Sequence, residues 1–187
     1  INFIEHFIDV ETDSLNLFGE AAVSATELNS DLRKSLVDRV SKVKEIVTEK
    51  PKEQWILWGL QNAETQLLSK TIDDSVNVQG SDKPDIKAKN LLGFANDDFN
   101  TLVTKASIAS FGMNYQNCSN MVFCSYDFKF EAFYQAVRRC YRFGQTKPVN
   151  VHLIIPKSQM NVRKSIIEKE AKHKEMMHKM SINSAEQ

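Results

Sequence analysis

Short apolar runs that alternate with stretches of helical periodicity constrain this chain more than any other feature. Residues 55–58, Trp-Ile-Leu-Trp, form an uninterrupted apolar run, the pattern of a strand covered on both faces. Residues 3–10, 76–78, 102–104, 121–124 and 149–155 are further short runs suited to strands, the first leading into an irregular stretch around 13–20. Between the strands the period changes to that of a helix. Leu28, Leu32, Leu36, Val40, Val43 and Val47 make one apolar stripe, which Lys50-Pro51 stops. Leu60, Ala63, Leu67, Leu68 and Ile72 repeat the spacing. Asp82 with Pro84 opens another helix that turns Ile86, Leu91, Leu92 and Phe94 inward. One more helix is expected over about residues 129–143. Strand–helix alternation of this kind predicts an α/β fold, a mainly parallel sheet with helices on both faces. Ligands in such sheets gather outside the carboxyl ends of the strands, so the loops after Trp58, Val78, Thr104 and Cys124 are the places to look.

Composition narrows the class. Hydrophobic residues at 42% and charged residues at 26% describe a globular chain that can bury a core, not a disordered one. Net charge is zero, so any nucleic-acid site must be a local arrangement of charge. No apolar run approaches the ~20 residues of a membrane helix. Cys118, Cys124 and Cys140 are odd in number and lack C-x-x-C spacing, which suits reduced thiols, not a disulfide frame or a zinc site. His173 and His178 are five apart and fall on different faces of a helix, and His6 and His152 read as structural, so no metal site is expected. The chain opens on Ile1 in what reads as a strand entered mid-fold, which suggests a piece of a longer protein. Residues 157–187 are helix-forming, with Lys and Glu interspersed and no strong apolar stripe, and are expected to be a solvated or domain-contacting helical tail after a domain of residues 1–156.

The segment Glu131-Ala-Phe-Tyr-Gln-Ala-Val-Arg-Arg-Cys-Tyr-Arg-Phe-Gly-Gln145 is the most informative. On a helix, Phe130, Phe133, Tyr134, Val137 and Tyr141 would face the sheet. Gln135, Arg138, Arg139 and Arg142 stand at i, i+3, i+4 and i+7 and would stack on the opposite side. Such a face is either solvated or meets an anion. Arginine at every cationic position favours phosphate, whose oxygens the planar guanidinium fork matches.

This segment, from Gln135 to Gln145, resembles the last conserved motif of superfamily-two helicases, and its Arg-x-Gly-Gln ending is similar to that of the Swi/Snf-type translocases. Upstream, residues 102–115 resemble the preceding motif of the family, a Thr-rich strand end leading to Gly112-Met113-Asn114. Residues 78–81 are similar to the strand and Gly-Ser turn that open the second helix of the lobe, and residues 55–58 to its first core strand. The likeness runs over residues 3–155, and prophage-encoded DEAD/DEAH-like helicases are the variety it most resembles. The resemblance implies a RecA-like three-layer α/β/α lobe, the second of two, with ATP and Mg2+ held mainly by a first lobe of the same polypeptide. Arg139 and Arg142 match the arginine-finger positions, and Gln135 the glutamine near the nucleotide. Gly112 and Asn114 match the residues that couple nucleotide to nucleic acid; Ser81, Thr104, Lys105 and Ser107 match contacts to the phosphodiester backbone. The implied partner is duplex DNA bound without sequence preference, and the implied setting is the cytoplasm of a bacterium, in a bacterial or phage-encoded enzyme.

The sequence contains no G-x-x-x-x-G-K-[ST] loop and no Asp-Glu-x-His or Asp-Glu-x-Asp box. A chain without them has nothing to cradle the β- and γ-phosphates or hold Mg2+, so by itself it is expected to hydrolyse no ATP. The alternative is a non-catalytic nucleic-acid-binding or docking module, against which the Gln135, Arg139 and Arg142 set argues. A small-molecule enzyme would need paired carboxylates or a nucleophile–base set, which the loops lack.

Overall fold

The computed structural model describes residues 1–9, 25–111, 113–125 and 130–157, together with Met160, Glu168 and Ala171. Six strands, β1 (Asn2–Ile8), β2 (Trp55–Gly59), β3 (Ser75–Asn77), β4 (Thr101–Lys105), β5 (Asn120–Phe123) and β6 (Asn150–Pro156), form one sheet in the order β1-β6-β5-β2-β4-β3. Every pairing is parallel, so the sheet is wholly parallel where a mainly parallel one was expected.

Strand period 2 divides the core. Trp55, Leu57, Val103, Val122 and Ile154 point to the face covered by α2 (Leu36–Glu49) and α3 (Asn62–Thr71), against Val40, Val43, Ile46 and Leu68. Ile56, Trp58, Leu102, Phe123 and Leu153 point to the other face, covered by α4 (Pro84–Ala95) and α5 (Phe130–Val137), against Leu91, Phe94, Phe133 and Val137. Both sides of β2 are therefore buried, as its unbroken apolar run requires. The result is a three-layer α/β/α fold, and it places the two tryptophans in the core at 2% and 1% exposure. Cys118, Cys124 and Cys140 are buried free thiols.

Local departures from the expected elements have physical causes. The helix expected through residues 26–49 is broken at Ser35 into α1 (Ala25–Lys34) and α2. The Ser35 hydroxyl donates to the Asp31 carbonyl at 2.7 Å and accepts from Arg39 Nε at 3.0 Å, a back-bond that bends the helix there. Helix α4 buries Leu91 and Phe94 but exposes Ile86 and Leu92, and Lys87 takes a place on its inner face. Asp82 is not its N-cap; Lys83 is, and the Asp82 carboxylate accepts from the Gln79 N–H at 2.7 Å. Helix α5 stops at Val137, six residues short of the expected end, and Tyr141 is exposed where it was expected to face the sheet. Residues 13–20, His173, His178 and nearly all of the expected tail helix lie outside the described residues.

Candidate functional site

At the carboxyl ends of β2, β4 and β5 the chain leaves the sheet toward opposite faces, β2 into α3 and β4 into the 3-10 helix Ala106–Phe111. A crevice opens at such a switch. Here it is a cavity of about 180 Å³, whose lining includes Trp58, Leu60, Lys105, Ser107, Phe123 and Ser125. Three of the four loops expected to carry chemistry thus meet in one place.

The wall of this cavity is set by a buried ion pair that sequence reasoning missed. Glu64 Oε2 accepts from the Leu60 N–H at 2.7 Å and from the Ser125 hydroxyl at 2.6 Å, fixing the exits of β2 and β5 together. Its other oxygen pairs with Arg39, and both side chains are 1% exposed. Arg39 also donates to the carbonyls of Cys124 at 3.0 Å and Leu32 at 2.6 Å. With the bond to Ser35, four of its five donors are satisfied, as a buried guanidinium requires. Carboxylate and glycine are fitted to each other: a Cβ on Gly59 would stand 2.9 Å from Glu64 Oε2. The missed signal was positional. Leu32, Leu36, Arg39, Val43 and Ile46 share one helical spacing, so a charge lay within an apolar stripe.

Of the expected backbone contacts, Lys105 and Ser107 line the cavity, Lys105 half-buried and Ser107 exposed. Ser81 is exposed on the turn after β3, which Asp82 and Lys87 hold; Lys87 Nζ donates to the Gly80 carbonyl at 3.0 Å. Thr104 departs from the expectation. Its side chain is buried and its hydroxyl donates to the Val78 carbonyl at 2.9 Å, tying β4 to the exit of β3 instead of facing a ligand.

The arginines stand at the other end of the sheet. Helix α5 starts beyond the carboxyl end of β5 and runs back, so that residues 138–148 reach the amino end of β6. The continuous arginine face expected on a helix is not formed, because the arginines follow the helix on a series of tight turns. Arg139 N–H bonds the Ala136 carbonyl at 3.2 Å, Arg142 N–H the Cys140 carbonyl at 3.1 Å, and Gln145 N–H the Arg142 carbonyl at 3.1 Å. Gly144, at φ +93°, makes the reversal that side chains disfavour. Gln135, on the last turn of α5, is exposed, as are Arg138 and Arg142, and Phe143 is fully so. Arg142 has no side-chain partner among the described residues.

Arg139 is half-buried, with one nitrogen 3.4 Å from the Met113 carbonyl and Nε without a partner among the described residues. Beside it, burial pushes the Tyr115 phenol above its ordinary value while Arg139 opposes, so the phenol stays neutral and leaves the guanidinium charge uncancelled. The Cys140 thiol, hydrogen-bonded to Cys118 and buried, is held well up and is likewise neutral. Asn114 is exposed on the loop that returns from the cavity end to the amino end of β5, and Gly112 lies outside the described residues. The expected site residues therefore divide into two groups at opposite ends of the sheet, joined by that return loop.

Among solved structures, the chain is similar to the C-terminal part of the Fun30 ATPase domain, with a TM-score of 0.61 at 20% identity over 72% of this chain and 46% of that one. It is similar to the C-terminal domain of the DEAD-box protein Dbp5, with a TM-score of 0.62 at 14% identity over 71% of this chain and 78% of that one. A third likeness is to domain 2 of the DEAD-box helicase Mss116p, bound to an RNA duplex, with a TM-score of 0.62 at 15% identity over 87% of this chain and 57% of that one. These likenesses establish the RecA-like fold of helicase C-terminal lobes. In sequence, the chain is 27% identical over 158 residues to the bifunctional helicase and thymine dioxygenase JBP2 of Leishmania tarentolae, covering 81% of this chain. It is 28% identical over 140 residues to the protein of the same name from Leishmania braziliensis, covering 72% of this chain. The chain spans 13% of the length of each of these two relatives. The model of the helicase conserved C-terminal domain matches residues 37–144, more than half of the 187, and the chain belongs to that family.

Proposed function

We propose that this lobe is the second half of an ATP-dependent DNA motor, with nucleic acid at the carboxyl end of its sheet and the nucleotide at the arginine turn. The observation that carries the reading is the pair Arg139 and Arg142, presented at the end of α5 with donors that the described residues leave unpaired. Phosphoryl transfer spreads negative charge over the departing phosphate, and an arginine brought across a cleft is worth about 10³–10⁵ in rate. Arg142 is the outer finger and Arg139 the inner one. Gln135, exposed one turn earlier, contacts the nucleotide. ATP and Mg2+ are held mainly by a first RecA-like lobe of the same polypeptide, and closure of the two lobes brings the arginines to the γ-phosphate. The lobe here comprises residues 1–156, with residues 157–187 a helical extension.

At the opposite end, Lys105, Ser107 and Ser81 meet backbone phosphates, contacts that position a strand without reading its sequence. Thr104 supports them from within. Gly112 and Asn114 belong to the segment that links the two ends. The name of the Leishmania relatives, which pairs helicase with thymine dioxygenase, favours DNA, whereas Mss116p domain 2 was solved on RNA. The chain alone hydrolyses no ATP.

The test is nucleic-acid-stimulated ATP hydrolysis by a polypeptide carrying both lobes. Arg139→Ala and Arg142→Ala should each lower turnover by about 100-fold or more while ATP still binds. Stimulation by duplex DNA above RNA supports the choice of DNA. Near-normal turnover in both variants removes the motor reading.

A further inference from the structure

Helix α5 ends without a terminal glycine or proline, and the carbonyls it leaves behind need partners. Those of Tyr134, Ala136 and Val137 are met by the N–H groups that follow directly, and the carbonyls of the turn beyond are met by the return loop. Tyr115 N–H donates to the Arg139 carbonyl at 3.0 Å, and the Gln116 side-chain amide donates to the Phe143 carbonyl. The central contact is Gln145. Its amide nitrogen lies 3.1 Å from the Gln116 carbonyl, 3.1 Å from the Cys118 carbonyl and 3.4 Å from the Cys140 carbonyl. Its oxygen accepts from the Lys147 N–H at 3.0 Å. All three partners of the nitrogen are acceptors and the partner of the oxygen is a donor, so the amide can face only one way. The loop is anchored at its far side by Asn117, whose amide donates to the Phe94 carbonyl at 2.8 Å and to Asp97 at 3.0 Å.

We infer that Gln145 is a positioning residue that locks the arginine turn to the return loop, so that the place of Arg142 is set by the same loop that leads back to the cavity end. Arg142 stands on a one-turn loop between Cys140 and Gln145, and both ends of that loop are held by the Gln145 side chain. Without the amide, the Cys140, Gln116 and Cys118 carbonyls lose a shared donor, and the turn is held to the return loop by fewer bonds, those of the Tyr115 N–H and the Gln116 amide. A shift of about 1 Å in a catalytic group can cost on the order of 100-fold in rate. The arginine would still be present and charged, but misplaced.

The inference rests on the motor reading above, and a parallel variant separates the two. In a polypeptide carrying both lobes, Gln145→Glu keeps the size of the side chain but sets an oxygen against three carbonyls. It should lower kcat by about tenfold or more, with KM for ATP and Kd for duplex DNA changed by no more than about twofold and the melting temperature retained. Gln116→Leu, at an exposed position, should give a smaller loss confined to kcat. Arg142→Ala is measured beside them. A normal kcat in Gln145→Glu with an impaired Arg142→Ala overturns the inference and leaves the motor reading standing. A normal Arg142→Ala overturns the inference, since the placed arginine is then not needed, and a normal Arg139→Ala beside it overturns the motor reading as well. If Gln145→Glu loses melting temperature, ATP affinity and DNA affinity together, the residue only holds the fold and the inference fails. Should Gln145→Glu not fold, Gln116→Leu decides: a loss in kcat alone supports the lock, and unchanged kcat overturns it.

Discussion

Arg39 and Arg142 stand at opposite ends of one sheet and lead opposite lives. Arg39, beneath the carboxyl ends of β2 and β5, is buried and bonds Glu64, Ser35, Leu32 and Cys124. Arg142, beyond the end of α5, is exposed, and among the described residues only its backbone is held. The first guanidinium has four of its five donors satisfied within the fold and shapes a cavity that other residues line. The second has its donors directed to solvent, on a turn that the surrounding loops keep in place. A buried, ion-paired arginine is part of the scaffold, whereas an exposed one on a held turn can serve a ligand. Residue type alone does not separate them.

The largest test of this contrast is Glu64→Ala, which leaves Arg39 charged and unpaired inside the protein. Breaking a buried pair costs about 3–5 kcal/mol, so the melting temperature should fall by on the order of 10 °C in a thermal unfolding scan. An unchanged melting temperature would mean that Arg39 is not the scaffold element described. Next in size is Arg142→Lys, which keeps the charge and removes the planar fork. Turnover in a two-lobe polypeptide should drop by about 100-fold with little change in melting temperature. If stability fell instead, the two arginines would be alike after all.

Lys105→Ala addresses the cavity end alone. It should weaken DNA binding by about three- to tenfold and reduce the salt dependence of binding by about one in slope, seen in titrations at several salt concentrations. An effect on kcat without one on affinity would move Lys105 to the other end of the division.

The smallest effect lies at the sheet edge, where His6 Nε2 and His152 Nδ1 are 2.9 Å apart across β1 and β6. Burial, then His6 and Lys50, push His152 down to about 4, and burial and Lys42 lower His6 against Glu49 and Glu45. Both imidazoles are thus held neutral in the fold, while the unfolded chain takes up protons near 6.5. Their stabilisation is complete above about pH 6.5 and declines as pH falls below it, for His152 down to about 4, by at most about 1.4 kcal/mol per pH unit for each proton. Chemical denaturation across that window should show the slope, and His152→Phe should flatten it while leaving the cavity end and the arginine turn unchanged.

Much of this was legible in the residues. The run at 55–58 marked a doubly covered strand because four consecutive apolar side chains cannot all be hidden by one layer. Arg139 and Arg142 stood out because arginines repeated at helical spacing invite an anion. Thr104 was misplaced because a hydroxyl at a strand end reads the same whether it faces solvent or a neighbouring carbonyl; only the pairing of β3 with β4 brings Val78 within reach. Arg39 and Glu64 were passed over because their partnership spans 25 residues of chain.

The sequence by itself determined the alternation of elements, the sidedness of the strands and the family to which the lobe belongs, since these follow from local periodicity and contiguous motifs. Tertiary structure decided where α5 stops, which arginine is buried and which is exposed, and that the residues expected to meet phosphate divide between the two ends of the sheet. Those outcomes depend on hydrogen bonds between segments distant in the chain, such as Gln145 with Gln116 and Cys118, and no local pattern encodes them.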